Sequence, residues 1–391
     1  MLKQEHNLIY IQESEMNIAH IRYYDSNQVN GVSYSACVIG EAQAKLGHNV
    51  YFYNIDTHEN RYQISTGITV HNFSPNSLSL YLPKKFNFYL SKKMKQFLSL
   101  NKDNIDIFHL HSSFGPFNCM IAKILHKYRM KYIITPNGGY IKNVFQNNKL
   151  QKSLYYHFVD KKFLMNASGI ICVTQKEIQD IRRLGYKGRI CVIPNPVKNE
   201  LYTQRSKNNN LRHSIVFLGR WDINHKGLDR LFELFKKIEH IDTSITLELY
   251  GGGGSRCEIE KIIQKLGIKN LNIHNPVYNN EKLDILKNAS LYIQTSRWEV
   301  FGISIAEAMA IGVPVAISND CYLSEYIEKE ECGIVIQKYD TNTAQKIINI
   351  IKDSKRNVKL GENGKKYAVN NFQEMSVASN VVSFYQEILN N

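Results

Sequence analysis

The sequence has little of what marks membrane, metal-built or secreted proteins. Its seven cysteines (Cys37, Cys119, Cys172, Cys191, Cys257, Cys321 and Cys332) are scattered, with no C-x-x-C pair and no metal-ligand spacing. They read as small buried apolar residues in a reducing compartment. No apolar run approaches the roughly eighteen residues of a membrane span. The opening MLKQEHNLIYIQ holds too short an apolar run for a signal peptide, so the expectation is a cytoplasmic protein. There is no D-x-D, no internal repeat and no low-complexity tract.

What is present is a chain of 391 residues, 43% hydrophobic and 21% charged, the balance of a soluble globular protein. That length exceeds the needs of one core, so two domains and a cleft between them are expected. The net charge of +14 is lopsided: residues 1–200 hold 25 Lys/Arg against 13 Asp/Glu, residues 201–391 hold 24 against 22. A basic first half favours anionic lipid, nucleic acid or acidic substrates. No nucleic-acid-binding motif is recognised, and no nucleic-acid partner is expected.

Short β-branched and aromatic runs alternate with amphipathic stretches, the pattern of βαβ units and parallel sheets. Candidate strands in the first half are 8–11, 49–53, 106–110, 131–135, 169–173 and 190–193. The helix ending in AKLG stops at Gly47, and Thr174 with Glu177 reads as a capping box. Residues 194–213 are polar, rich in Asn and Pro, and aperiodic, which places the linker there. The pattern restarts with strands at 214–219, 245–251, 270–274, 289–295, 313–318 and 333–336. The fold class is α/β, two doubly wound domains whose strand ends face a common cleft.

Three stretches carry chemistry. SRWEVFGISIAEAMAIGVPVAIS (296–318) follows a strand, with Glu299 and Gly302 in the loop, a helix from Ser304 to Gly312, and Glu307 one turn in. Gly302 permits close backbone approach, and the helix N-terminus favours an anion, so the two carboxylates flank an anion site and suit sugar hydroxyls. The alternative for Glu307 is that Ser304-x-x-Glu307 merely caps its own helix. IVFLGRWDINHKGLDR (215–230) sets Arg220, after Gly219, and Lys226 at a strand's end, where they can converge on a diphosphate, or else lie in solvent. LYGGGGSRCEIE (249–260) is a strand, four glycines and a helix, a weak motif on its own.

Together these stretches resemble the nucleotide-sugar glycosyltransferases of family 4, which have the GT-B architecture of two Rossmann-like domains and retain the configuration of the transferred sugar. The resemblance is closest over 214–336, where Gly219-Arg220, Lys226-Gly227, the Glu299/Glu307 pair with EAMAIGVPV, and LSEYI stand in family order. It extends more weakly through NGVSYSACVIGEAQAKLGHNV (30–50), DIFHLHS, TPNGGY and IPNPV. It implies an acceptor-binding domain over 1–200, a donor-binding domain over 201–370, and a tail over 371–391 packing back on the first. By the same resemblance Arg220 and Lys226 would hold the donor diphosphate and Glu307 the ribose hydroxyls. Glu299 would contact the donor sugar beside backbone amides of Phe301, Gly302 and Ile303, and Gly31 would open a helix facing the diphosphate. Catalysis would rest on Glu299, Arg220 and Lys226. A nucleotide-diphosphate sugar is the co-substrate, UDP the expected nucleotide, and no metal or other cofactor is expected.

One position departs from the family: where a histidine is frequent, TPNGGY has Asn137, which can hydrogen-bond a sugar but not relay a proton. His111 is the candidate substitute, against a buried strand-end role. His109 and His111 are read as pointing to opposite faces of their strand and so as a poor metal pair. The stretch KKFNFYLSKKMKQFL (84–98) interleaves Lys84, Lys85, Lys92, Lys93 and Lys95 with apolar residues. A helix through 90–98 would align Leu90, Met94, Phe97 and Leu98, either as an interfacial helix on the inner face of an anionic membrane or as an ordinary packed one. The expected activity is transfer of a sugar to a glycan or lipid-linked acceptor in bacterial cell-surface polysaccharide synthesis. The alternatives are a small soluble acceptor or a non-catalytic partner subunit.

Overall fold

The computed structural model describes residues 15–25, 30–56, 58–75, 91–146, 149–203 and 213–391. Two sheets organise them. In the first, strands β1 (Asn17–Ile21), β2 (Asn49–Ile55), β3 (Asn60–Ser65), β4 (Ile68–Phe73), β5 (Ile107–His111), β6 (Tyr132–Thr135), β7 (Gly169–Cys172) and β8 (Arg189–Val192) lie in the order β3-β4-β2-β1-β5-β6-β7-β8. All neighbours are parallel except β3 on β4. The expected strand at 8–11 lies outside the described residues.

The second sheet holds β9 (Ser214–Arg220), β10 (Thr246–Gly252), β11 (Leu271–His274), β12 (Leu291–Gln294), β13 (Val315–Ser318) and β14 (Gly333–Ile336). Their order is β11-β10-β9-β12-β13-β14, all parallel. Because helices cover both faces, β12 and β13 are buried at every position, which is why they read as unbroken apolar runs. The order reverses between β9 and β12, and between β1 and β5 in the first sheet. Those two switch points are where loops part and leave room for a ligand.

The chain returns to its first domain at the end. Val197 pairs with Gln373, and the helix Glu374–Leu389 then packs Val377, Val381 and Tyr385 against Ile18, Ile107 and Ile133 of the first sheet. Lys45 reaches Glu374 at 2.9 Å at the start of that helix. The helix Lys92–Leu100 buries Met94 and Leu98 in the first domain's core, with Phe97 packed beside them. Over Lys92–Leu100 the side that carries Met94, Phe97 and Leu98 is therefore filled by protein, as the packed-helix reading expects. Residues 84–90 lie outside the described residues.

Candidate active site

The two switch points face each other across one cavity of about 500 Å³. Gly31, Asn137, Gly219, Arg220, Lys226, Glu299, Phe301, Gly302 and Ile303 all line it. Gly31 begins the helix Gly31–Lys45, capped by Asn30, whose side chain accepts from the amides of Val32 and Ser33. Gly302 is the N-cap of the helix Ile303–Ile311 and takes φ +68°, a left-handed conformation suited to glycine. A Cβ built on Gly31 would stand 3.5 Å from the Ile303 side chain, so the two helix N-termini converge on one place. Both present the positive end of a helix dipole, although the Asn30 cap already engages the Val32 and Ser33 amides. The Phe301 ring packs on Phe372 with centroids 5.1 Å apart, leaving only its backbone to serve a ligand.

The cations come next. Lys226 ends the short helix Ile223–Lys226, and Gly227 turns the chain at φ +64° into the following helix. A Cβ there would lie 2.2 Å from the Thr295 carbonyl, while the Thr295 hydroxyl donates to the Lys226 and Gly227 carbonyls. This lock brings the Lys226 ammonium 2.5 Å from Glu299 Oε2. Burial pushes the Glu299 carboxyl up, but Lys226, with His225 and Arg220 nearby, outweighs it and holds the group below the usual carboxylate range. His225 stacks on Trp298 at 4.7 Å and lies 3.4 Å from Arg220, while Arg297 makes a fork on Asp229. Burial, then Lys226, pushes the His225 pKa down. The resulting unit is an ionised carboxylate flanked by fixed cations and helix N-termini, suited to holding a phosphorylated polyol.

Glu307 lies one turn beyond Ile303 and lines a second, smaller cavity with Tyr34, Lys198 and Lys282. It does not cap its own helix: Lys282 donates to Oε1 at 2.6 Å, while the buried Oε2 has no hydrogen-bond partner among the described residues. Asn137 sits at φ +51° and accepts from the Asn195 amide at 3.4 Å. The next residue, Gly138, has no room for a Cβ, which would meet Val300 at 2.4 Å, so the loops of the two domains touch there.

Sequence reasoning missed the support of that loop. Glu177 does not form a capping box with Thr174, whose side chain makes no cap bond. Its buried carboxylate accepts from the amides of Gly138 at 2.7 Å and Val173 at 2.8 Å. Burial pushes its pKa up to about 7 against those two bonds. Lys282 was missed as well and stands in no motif, while Glu177 is read only as a helix cap.

His111 is not brought to the large cavity. Residues two apart on a strand share a face, so His109 and His111 point the same way, correcting the opposite-face expectation. Their rings lie 4.0 Å apart, and with His20 they set one ring nitrogen each within 4.8 Å of one another. Hydrogen bonds account for most of those nitrogens: His20 Nδ1 shares a proton with His111 Nε2 at 2.9 Å and His20 Nε2 meets Gln43 Oε1 at 2.8 Å. His109 meets the hydroxyls of Tyr385 and Thr135, each at 2.7 Å. The buried cluster thereby ties the last helix to the first sheet.

Residues 29–201 match the model of Glycosyltransferase Family 4, and residues 199–367 that of Glycosyl transferases group 1. The N-acetyl-alpha-D-glucosaminyl L-malate synthase of Bacillus anthracis is 23% identical over 92% of this chain and 95% of its own. The capsular polysaccharide biosynthesis glycosyltransferase CapM of Staphylococcus aureus is 24% identical over 49% of this chain and 50% of its own. Among solved structures, Anabaena HepE in complex with UDP-glucose superposes with a TM-score of 0.71 at 16% identity, covering 95% of this chain and all of that one. With the strand orders and the converging helix N-termini, these matches show that the chain belongs to the family 4 glycosyltransferases of GT-B architecture.

Proposed function

We propose that the protein transfers a sugar, with retention of configuration, from a UDP-sugar to a hydroxyl of a glycan or lipid-linked saccharide in surface polysaccharide synthesis. The observation that carries this reading is the ionised Glu299, held by Lys226 at the point where two helix N-termini and Arg220 meet. The diphosphate lies among Arg220, Lys226 and the amides of the Gly31 and Ile303 turns, which stabilise the charge that grows as the sugar–phosphate bond breaks. Glu299 accepts from sugar hydroxyls and fixes the anomeric carbon over the acceptor. The acceptor hydroxyl attacks on the face the diphosphate leaves and passes its proton to a phosphate oxygen. Asn137 orients a hydroxyl without taking a proton, which supports the leaving group as base. These cations and dipoles supply the positive charge, so the reading assigns no metal.

The choice of UDP and of a polysaccharide acceptor draws on HepE, solved with UDP-glucose, and on CapM, named for capsular polysaccharide biosynthesis. A small soluble acceptor is the second reading, favoured by the likeness to an enzyme whose name joins a sugar to L-malate. Calorimetric titration with UDP, GDP and ADP, without divalent metal, tests the donor site. The expected result is UDP binding that weakens about ten- to a hundredfold in Arg220→Ala, the range for a charge-assisted contact. Binding of a different nucleotide would change the base, and no binding would leave the partner-subunit reading. NMR of the product anomer tests retention.

A further inference from the structure

His225 lines the large cavity beside Arg220 and Lys226, and no step of the proposed transfer uses it. Backbone and ring are both fixed. The His225 amide donates to Asp222 at 2.8 Å, and its carbonyl accepts from the Arg297 amide at 2.9 Å. The imidazole stacks on the Trp298 ring, with centroids 4.7 Å apart and planes 13° from parallel. Ring Nε2 lies 2.9 Å from the Trp298 carbonyl oxygen, and ring Nδ1 lies 3.4 Å from Arg220 Nη2.

Those two partners set the tautomer. A carbonyl oxygen only accepts, so Nε2 carries the hydrogen; a guanidinium nitrogen only donates, so Nδ1 offers its lone pair. The ring in this arrangement is neutral. Its surroundings keep it so. Lys226 beside it and Arg220 at the end of β9 oppose a proton, while Glu299 across the cavity and Asp222 on its own turn favour one. Burial adds to the opposition and is the largest influence, so the ring titrates below the ordinary histidine range. Arg297, on the same loop as Trp298, is engaged by Asp229.

A diphosphate reverses the balance. To bind it, Arg220 turns its N–H groups to phosphate oxygens, and the Nδ1 lone pair is left without its donor and facing an anion. Two acceptors then oppose each other. A proton on Nδ1 converts that contact into a charge-assisted hydrogen bond, and the Trp298 face attracts the charged ring. The ring need not turn, because Nε2 keeps its bond to the Trp298 carbonyl.

We propose that His225 is a donor-binding residue: it takes a proton from solvent as the nucleotide diphosphate enters, and Nδ1–H then donates a hydrogen bond to a phosphate oxygen. The proton stays on the ring through the transfer and returns to solvent when the nucleotide leaves. This rests on the donor-site reading and adds a third cation to it, one that is present only when the anion is.

The test is calorimetric titration of the full chain with UDP at pH 7.0 in phosphate and in Tris, whose different heats of ionisation count the protons exchanged. His225→Gln is the reference, since its amide can accept from Arg220 but cannot titrate, and the protons of UDP itself cancel in the difference. The wild type should take up about half a proton more per UDP, the order expected when an anion brings a histidine back to titrating near neutrality. Its advantage in affinity over the variant should shrink about tenfold from pH 6 to pH 8.5, because binding that takes up protons weakens as pH rises. Long-range proton–nitrogen NMR of the wild type needs no variant: the His225 ring should pass from a neutral Nε2–H pattern to that of an imidazolium as UDP saturates the site. Equal proton counts in the two proteins, or a ring that stays neutral under saturating UDP, overturn the inference and leave the donor site standing. Failure of UDP, GDP and ADP alike to bind the wild type overturns both.

Discussion

The Lys282 ammonium lies 2.6 Å from Oε1 of Glu307, whose second oxygen is buried and unpaired among the described residues. The lysine comes from the helix Asn279–Lys287 and the glutamate from Ile303–Ile311, so the pair joins two elements at the ribose end of the proposed donor site. A carboxylate this buried needs a counter-charge, and the free oxygen needs a donor. A ribose hydroxyl supplies the donor and Lys282 the charge. Lys282→Met should weaken UDP binding about tenfold or more while barely changing the weaker binding of 2′-deoxy-UDP, and Lys282→Arg should restore the difference. Equal losses for both nucleotides would mean that Lys282 only supports the fold.

Gly227 shows how a backbone position sets a side chain. Its φ of +64° and the 2.2 Å approach of a built Cβ to the Thr295 carbonyl are separate obstacles to any other residue. Gly185 has φ +91° with nothing near its Cβ position, so Gly185→Ala measures the conformational cost alone, about 1 kcal/mol. Gly227→Ala adds a clash with backbone and should cost about 2 kcal/mol more. Because Lys226 is the adjacent residue, UDP affinity should fall in Gly227→Ala and stay unchanged in Gly185→Ala. Urea unfolding and calorimetry on the pair measure both effects.

The second domain was the more legible half for a physical reason. Strands buried on both faces are continuous apolar runs, and each functional residue there sits within a few residues of a strand end or helix start. The first domain hides more. β3 is exposed at all six residues, so burial imposes no alternation on its sequence. β1, NIAHI, holds an asparagine and a histidine, and His20 tolerates the core only through partners in other elements. Glu177 reads as a helix cap and Lys282 carries no signal because their partners, Gly138 and Glu307, are 39 and 25 residues away. The histidine pair was legible, and reading it needed only the two-residue period of a strand.

That cluster predicts acid sensitivity. Burial, partly offset by the bond to Gln43, lowers the His20 pKa to about 4 from an ordinary 6.5. The unfolded chain therefore takes the proton first, and the contribution is intact above about pH 6.5 and lost as pH falls toward 4. At one pKa unit per 1.36 kcal/mol this amounts to about 3 kcal/mol, with His109 and His111 shifted the same way by burial. In NMR titration none of the three rings should take up a proton between pH 7.5 and 5. Tyr385→Phe removes the partner of His109 Nδ1 and should cost about 1–3 kcal/mol, read by urea unfolding at pH 7.5.

Glu177 acts in the opposite sense over nearly the same pH range, so the two effects offset each other in the intact protein. Its pKa is raised to about 7 in the fold against an ordinary 4.5, which means the folded state holds a proton that the unfolded state has released. Stability from this group is full below about pH 4.5, falls as pH rises to 7, and levels off beyond, a loss of about 3 kcal/mol. Glu177→Gln removes that slope. Its amide oxygen can accept from one of the Gly138 and Val173 amides, but its NH2 then faces the other donor. At pH 4.5 the variant should be less stable than the wild type, and the gap should narrow by about 3 kcal/mol by pH 7.5, in urea unfolding followed by far-ultraviolet circular dichroism. A gap that does not change with pH would mean that the Glu177 carboxylate is ionised throughout and holds the Asn137 loop by its two hydrogen bonds alone.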